Sequence, residues 1–61
     1  MDVDEFELAL VKLCRRLGKN RAEVAEVLGV SRKSLERYAS GKRPISADLA
    51  AKVRELLSVA A

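Results

Sequence analysis

Arg21-Ala22-Glu23-Val24-Ala25-Glu26-Val27-Leu28-Gly29-Val30-Ser31-Arg32-Lys33-Ser34-Leu35-Glu36-Arg37-Tyr38 is the stretch on which the fold turns. Asn20, just before it, is an N-cap residue with Glu23 in capping-box register. Ser31 is a second N-cap, so two short helices are predicted, joined only by the few residues around Gly29. So tight a joint does not suit an antiparallel hairpin and favours a steep crossing. The crossing demands a small residue where the second helix passes close, which Ala25 supplies. It also demands a left-handed backbone at the joint, which Gly29 adopts without steric cost. Val24, Leu28, Val30, Leu35 and Tyr38 then point into a shared core, and neither helix carries an interior proline.

Outward from this pair, a first helix is expected from about Asp4 to Leu17. Phe6, Ala9, Leu10, Leu13, Cys14 and Leu17 give it one apolar face. Asp2 or Asp4 can cap it, Gly18 stops it, and Arg15 and Arg16 sit in the last turn where the helix dipole favours cations. The same compensation of helix ends accounts for Lys12 and Lys19. The third helix runs to about Ser40 with Leu35, Tyr38 and Ala39 inward, and Gly41 terminates it before the basic loop Lys42-Arg43-Pro44. Ser46 caps a fourth helix whose stripe is Leu49, Val53, Leu56, Leu57 and Ala60. No strand, repeat or linker is evident, so all 61 residues are expected to form one all-α domain. A domain of this size buries only about 60% of its unfolded surface, so packing must be efficient.

Composition narrows the function. With no histidine, the chain lacks the commonest general base and the commonest neutral metal ligand. Cys14 is the single cysteine, reads as a buried helix residue, and has no histidine to activate it. Neither Glu23, a cap, nor Glu26, a surface charge, has a context for acid–base work. No enzyme activity, cofactor, metal or small-molecule ligand is expected. No apolar run approaches the roughly 20 residues of a membrane span, and the acidic N-terminus is unlike a leader peptide, so a cytoplasmic protein without membrane contact is expected. The net charge is +3, unevenly spread. Residues 1–11 carry four acids and no base, whereas residues 12–43 carry ten bases against three acids. A basic body behind an acidic lead-in suits a polyanionic partner.

From Asn20 through Tyr38 to Gly41-Lys42-Arg43-Pro44-Ile45-Ser46, the sequence resembles the Cro and phage-repressor-like (XRE-type) helix-turn-helix family. The first and fourth helices also fall where that family places them. The resemblance implies a compact, four-helix, lambda-repressor-like fold, sequence-specific binding of double-stranded DNA, and a nucleoid-associated transcriptional regulator, a repressor, acting as a homodimer. Members read the major groove with the second helix of the motif. Outward on that helix lie Arg32, Lys33, Glu36 and Arg37. By the family pattern Arg32, Lys33 and Arg37 are the base-reading positions, where Arg and Lys donate to guanine O6 and N7. Ser34, nearer the flank, reaches a phosphate or a base. Arg21 stands where members commonly place a glutamine against a phosphate, and Lys42 and Arg43 lie beside the N-terminus of the fourth helix, which favours an anion.

Many members pair an arginine in the first helix with a glutamate near the end of the recognition helix. Those positions here are Cys14 and Ala39, small apolar residues that replace the pair as a unit. Many members also use a fifth helix for dimer contacts, whereas this chain ends after the fourth. Leu8 and Val11 fall opposite the core face of the first helix, Val27 lies off the core face of the second, and Val59 belongs to the alanine-rich end. Leu8 and Val11, or Val59, are the candidate dimer contacts; scattered surface aliphatics are the alternative. Two other functions fit the same fold. One is the DNA-targeting domain of a larger protein such as a recombinase, or an antitoxin. The other is a protein-interaction module, which the basic outer face of the third helix disfavours. RNA binding is disfavoured because neither aromatic residue looks exposed for stacking.

Overall fold

A computed structural model describes residues 1–59, and the predicted Ala60 contact lies outside them. Four helices follow one another: α1 (Val3–Leu17), α2 (Arg21–Leu28), α3 (Arg32–Ala39) and α4 (Ala47–Val59). No strand occurs among the described residues.

The ends of the helices follow the capping chemistry of the sequence. Asp2, not Asp4, is the N-cap of α1: its backbone is extended and its carboxylate accepts the Glu5 N–H at 2.7 Å. That choice starts the helix at Val3, one residue before the expected position. At α2 the box is complete, since Asn20 Oδ1 accepts from Glu23 N at 2.9 Å and Glu23 Oε1 accepts from Asn20 N at 3.1 Å. Ser31 Oγ accepts from Ser34 N and Ser46 Oγ from Leu49 N, each at 3.1 Å. Helix α3 ends at Ala39, with Ser40 as its right-handed C-cap and the left-handed turn at Gly41 (φ 79°).

Helix α1 touches each of the other three, and α2 touches α3 and α4. Helix α3 is held by α1 and α2. Phe6, Leu10 and Leu13 from α1 meet Val24, Ala25 and Leu28 from α2, Leu35 and Tyr38 from α3, and Leu49 and Val53 from α4. Phe6, Leu10, Leu13, Val24, Leu35 and Val53 are fully buried, and no polar or charged side chain is buried among the described residues. Each such side chain is worth about 1.5–3 kcal/mol relative to exposure. Ala50 is also buried, and Leu56 and Leu57 only half so. The fourth-helix stripe therefore turns slightly from the expected one. Cys14, expected in the core, is half-buried, as is Ala39; both pack against the core from its edge. These are the two positions to which the resemblance assigns an ion pair, and each holds a small apolar side chain here.

Candidate nucleic-acid interface

The joint between α2 and α3 is a left-handed glycine turn. Gly29 has φ 76°, its N–H bonds Glu26 O at 3.0 Å, and Val30 N–H bonds Ala25 O at 3.0 Å. These paired bonds satisfy two carbonyls at the end of α2 and reverse the chain directly into the Ser31 cap. A second fastening comes from α4: Lys52 Nζ donates to Leu28 O at 3.4 Å. The last turn of α2 has no base of its own, so this cation supplies the missing partner for its C-terminal carbonyls.

From this joint α3 presents two contrasting faces. Leu35 and Tyr38 point inward and fix the helix, Tyr38 with its ring centroid 6.1 Å from that of Phe6. Arg32, Lys33 and Arg37 are exposed and make no ion pair among the described residues. The three predicted base readers thus lie together on one outward helical face. Glu36 shares that face, but its carboxylate lies 3.5 Å from Arg21 NH1. The same guanidinium bonds Glu7 of α1 through NH2. Arg21 therefore ties α1, α2 and α3 together, and its pKa is raised, first by the Glu7 hydrogen bond and further by the charges of Glu7 and Glu36, against a lowering by burial.

Arg21, which the resemblance sets against a phosphate, is committed to this tether, and no local spacing announces it. Its signal was indirect. A cation in the first turn of a helix faces the unfavourable end of the dipole, so its presence at the start of α2 calls for carboxylates nearby. The partners come from two other helices and leave no local spacing to find.

Of the residues expected to contact phosphates, all but Arg21 cluster at the flank. Ser34 is half-buried, and its Oγ accepts a hydrogen bond from Ser31 Oγ at 3.1 Å. Arg43 NH1 approaches the same oxygen at 3.5 Å. Its guanidinium lies over the Tyr38 ring, 5.3 Å from the centroid, a cation–π arrangement that carries the loop cation to the edge of α3. Lys42 is exposed beside it. With its oxygen accepting, Ser34 has its own O–H to give to an anion. Arg43, Ser34 and Lys42 thus form a cationic, donor-rich margin next to the three outward bases.

Away from this face, Leu8, Val11 and Val59 are exposed, at 56%, 37% and 79%, while Val27 is half-buried. An open cleft of about 160 Å³ between α1 and α4 is lined by Met1, Leu8, Ala9 and Leu57, with Glu5, Lys12 and Arg54 around it. It is smaller than the roughly 300–1,000 Å³ of a typical ligand pocket. No helix among the described residues is long and apolar enough to cross a membrane.

Comparison with known proteins agrees with this geometry. Residues 10–60 match the family described as Helix-turn-helix. A protein of Pyrococcus furiosus, named as a candidate HTH-type transcriptional regulatory protein, is 43% identical over 47 residues. That match covers 77% of this chain and 15% of the relative, so the chain corresponds to a small part of a much longer protein. No solved structure gives a significant match. A family match over most of the chain and a glycine-jointed helix pair with a basic outer face lead to one assignment: the chain belongs to the Cro and phage-repressor-like helix-turn-helix family of DNA-binding domains.

Proposed function

We propose that this domain binds double-stranded DNA sequence-specifically as part of a transcriptional regulator, a repressor, working at the chromosome in the cytoplasm. Helix α3 enters the major groove, where Arg32, Lys33 and Arg37 read base edges. Lys42, Arg43 and Ser34 fix the register on the phosphates, and Arg21, at the start of α2, answers the Glu36 carboxylate on the groove-facing side. The observation that carries this reading is the outer face of α3: three cations without an ion-pair partner among the described residues, and one carboxylate already answered by Arg21. A groove-facing helix presents its first turns to the bases, and Arg32 and Lys33 occupy the first turn of α3.

A second reading has its own support. The relative is far longer than this chain, which fits a DNA-targeting unit within a larger protein. Both readings need DNA recognition by α3 and differ in what is attached to it.

Selection from a randomised duplex pool at near-physiological salt tests the proposal. An enriched inverted repeat with half-sites about one helical turn apart, ~34 Å, identifies a dimeric operator binder. A single enriched half-site identifies a targeting domain that binds as a monomer. Retention with no enriched sequence refutes base reading and leaves backbone electrostatics alone.

A further inference from the structure

Helix α1 carries, on the side away from the core, a stripe with no role in the DNA interface. Asp4, Leu8, Val11 and Arg15 recur at the i, i+4, i+7, i+11 spacing, which places them within an arc of about 60° on the helix. All four are exposed. Among the described residues, neither Asp4 nor Arg15 has an ion-pair partner, while Glu5, Glu7 and Arg16 nearby are engaged by Arg54, Arg21 and Leu57 O. The helix dipole accounts for an acid at the start of α1 and a base at its end. It does not account for Leu8 and Val11 between them, 56% and 37% exposed, of which Leu8 also borders the cleft against α4.

We propose that this stripe pairs two copies of the chain, with their α1 helices antiparallel about a two-fold axis between Leu8 and Val11. The stripe is complementary to itself in that direction: Leu8 meets the second copy's Val11, and Asp4 meets its Arg15, each contact occurring twice. A parallel arrangement sets Asp4 against Asp4 and Arg15 against Arg15, so the charges choose the direction as well as the partner. A two-fold interface requires such self-complementarity, and a foreign partner does not. Val59 lies on another helix and has no place in the stripe. Four side chains fall well short of the roughly 800 Å² per partner of a standard interface. The free dimer is therefore weak and forms only at high protein concentration.

Sedimentation equilibrium of the 61-residue chain, without DNA, from about 10 µM to about 1 mM, reads this association directly. At low salt the mass should climb from monomer toward dimer, and added salt should weaken the climb. Leu8→Glu should abolish it. Arg15→Glu, which opposes like charges at two symmetric places, should weaken it about tenfold. Adding Asp4→Arg to Arg15→Glu should restore it, although that double variant places both charges against the helix dipole. Helicity and melting temperature, followed by circular dichroism, should then rank the double variant as the least stable of the charge variants. A merely structural effect makes it the poorest dimer as well, and that result overturns the proposal. So does a wild-type chain that stays monomeric to millimolar concentration, which leaves the DNA reading untouched because the association needs no DNA.

Discussion

Arg21 shows how one side chain can serve both the fold and the site. It holds Glu7 and Glu36, yet the guanidinium and both carboxylates are a third to a half exposed, so solvent screens the pairs. Arg21→Met should lower stability by no more than about 1 kcal/mol, a fall of roughly 4–8 °C in melting temperature for a domain this small. A guanidinium pKa raised in the folded state adds stability below the ordinary arginine value that is lost only above it. Arginine itself therefore gives no pH slope between about pH 5 and pH 9. The larger effect belongs to DNA. Without Arg21, Glu36 stands unanswered on the outer face of α3, and affinity should fall for all sequences. Glu36→Gln should recover more affinity beside Arg21→Met than it gains alone, and the double-mutant cycle measured by fluorescence anisotropy checks that coupling. Arg32→Ala or Lys33→Ala should instead cost about 1–3 kcal/mol on the selected site and relax preference at defined positions only.

At the scale of the helices, the N-caps of α2, α3 and α4, the glycine stops of α1 and α2 and most of the inward faces were legible in the sequence. They depend on residues three or four apart, the range over which a helix organises its own ends. Helix α1, in contrast, had two candidate caps, and the α4 stripe turns to include Ala50. Cations borrowed between helices were not legible. Lys52 caps α2 from α4, and Arg16 donates to Leu57 O near the end of α4 at 3.1 Å from α1. The recipients lack a base in their own last turns, and each donor lies 24 or 41 residues away. A sequence therefore shows the need without the supplier. Lys52→Met should cost about 0.3–1 kcal/mol, read as a shift in the urea midpoint. The glycine turns separate two kinds of strain. A Cβ at Gly29 meets nothing closer than Lys52 Nζ at 3.7 Å, so Gly29→Ala carries mainly the left-handed backbone penalty of about 1–2 kcal/mol. At Gly41 a Cβ also lies 3.2 Å from Val3 Cγ2. Gly41→Ala should therefore be the more destabilising of the two in the same denaturation assay.

Over the whole molecule, five of the twelve basic residues lie on α3 or in the loop after it, and four of the nine acids open α1. Lys42→Ala should weaken binding to every duplex about equally and reduce the slope of log affinity against log salt by about one, checked by titration across salt concentrations. The basic middle of the chain was legible in the sequence because it is concentrated in consecutive segments. The engagement of Arg43 with Tyr38, and of Arg21 with two carboxylates, emerges only when the helices close on one another. Those closures commit Arg21 and Arg43 to contacts within the fold and leave Arg32, Lys33 and Arg37 without an ion-pair partner among the described residues. Within α3 the same division is sharp, since Leu35 and Tyr38 anchor the helix while Arg32, Lys33, Glu36 and Arg37 lie in solvent. On the proposed base reading, the domain is a fixed holder for an exchangeable address. Three of its four letters can drift in evolution without disturbing the holder, while the fourth, Glu36, is expected to change in step with Arg21.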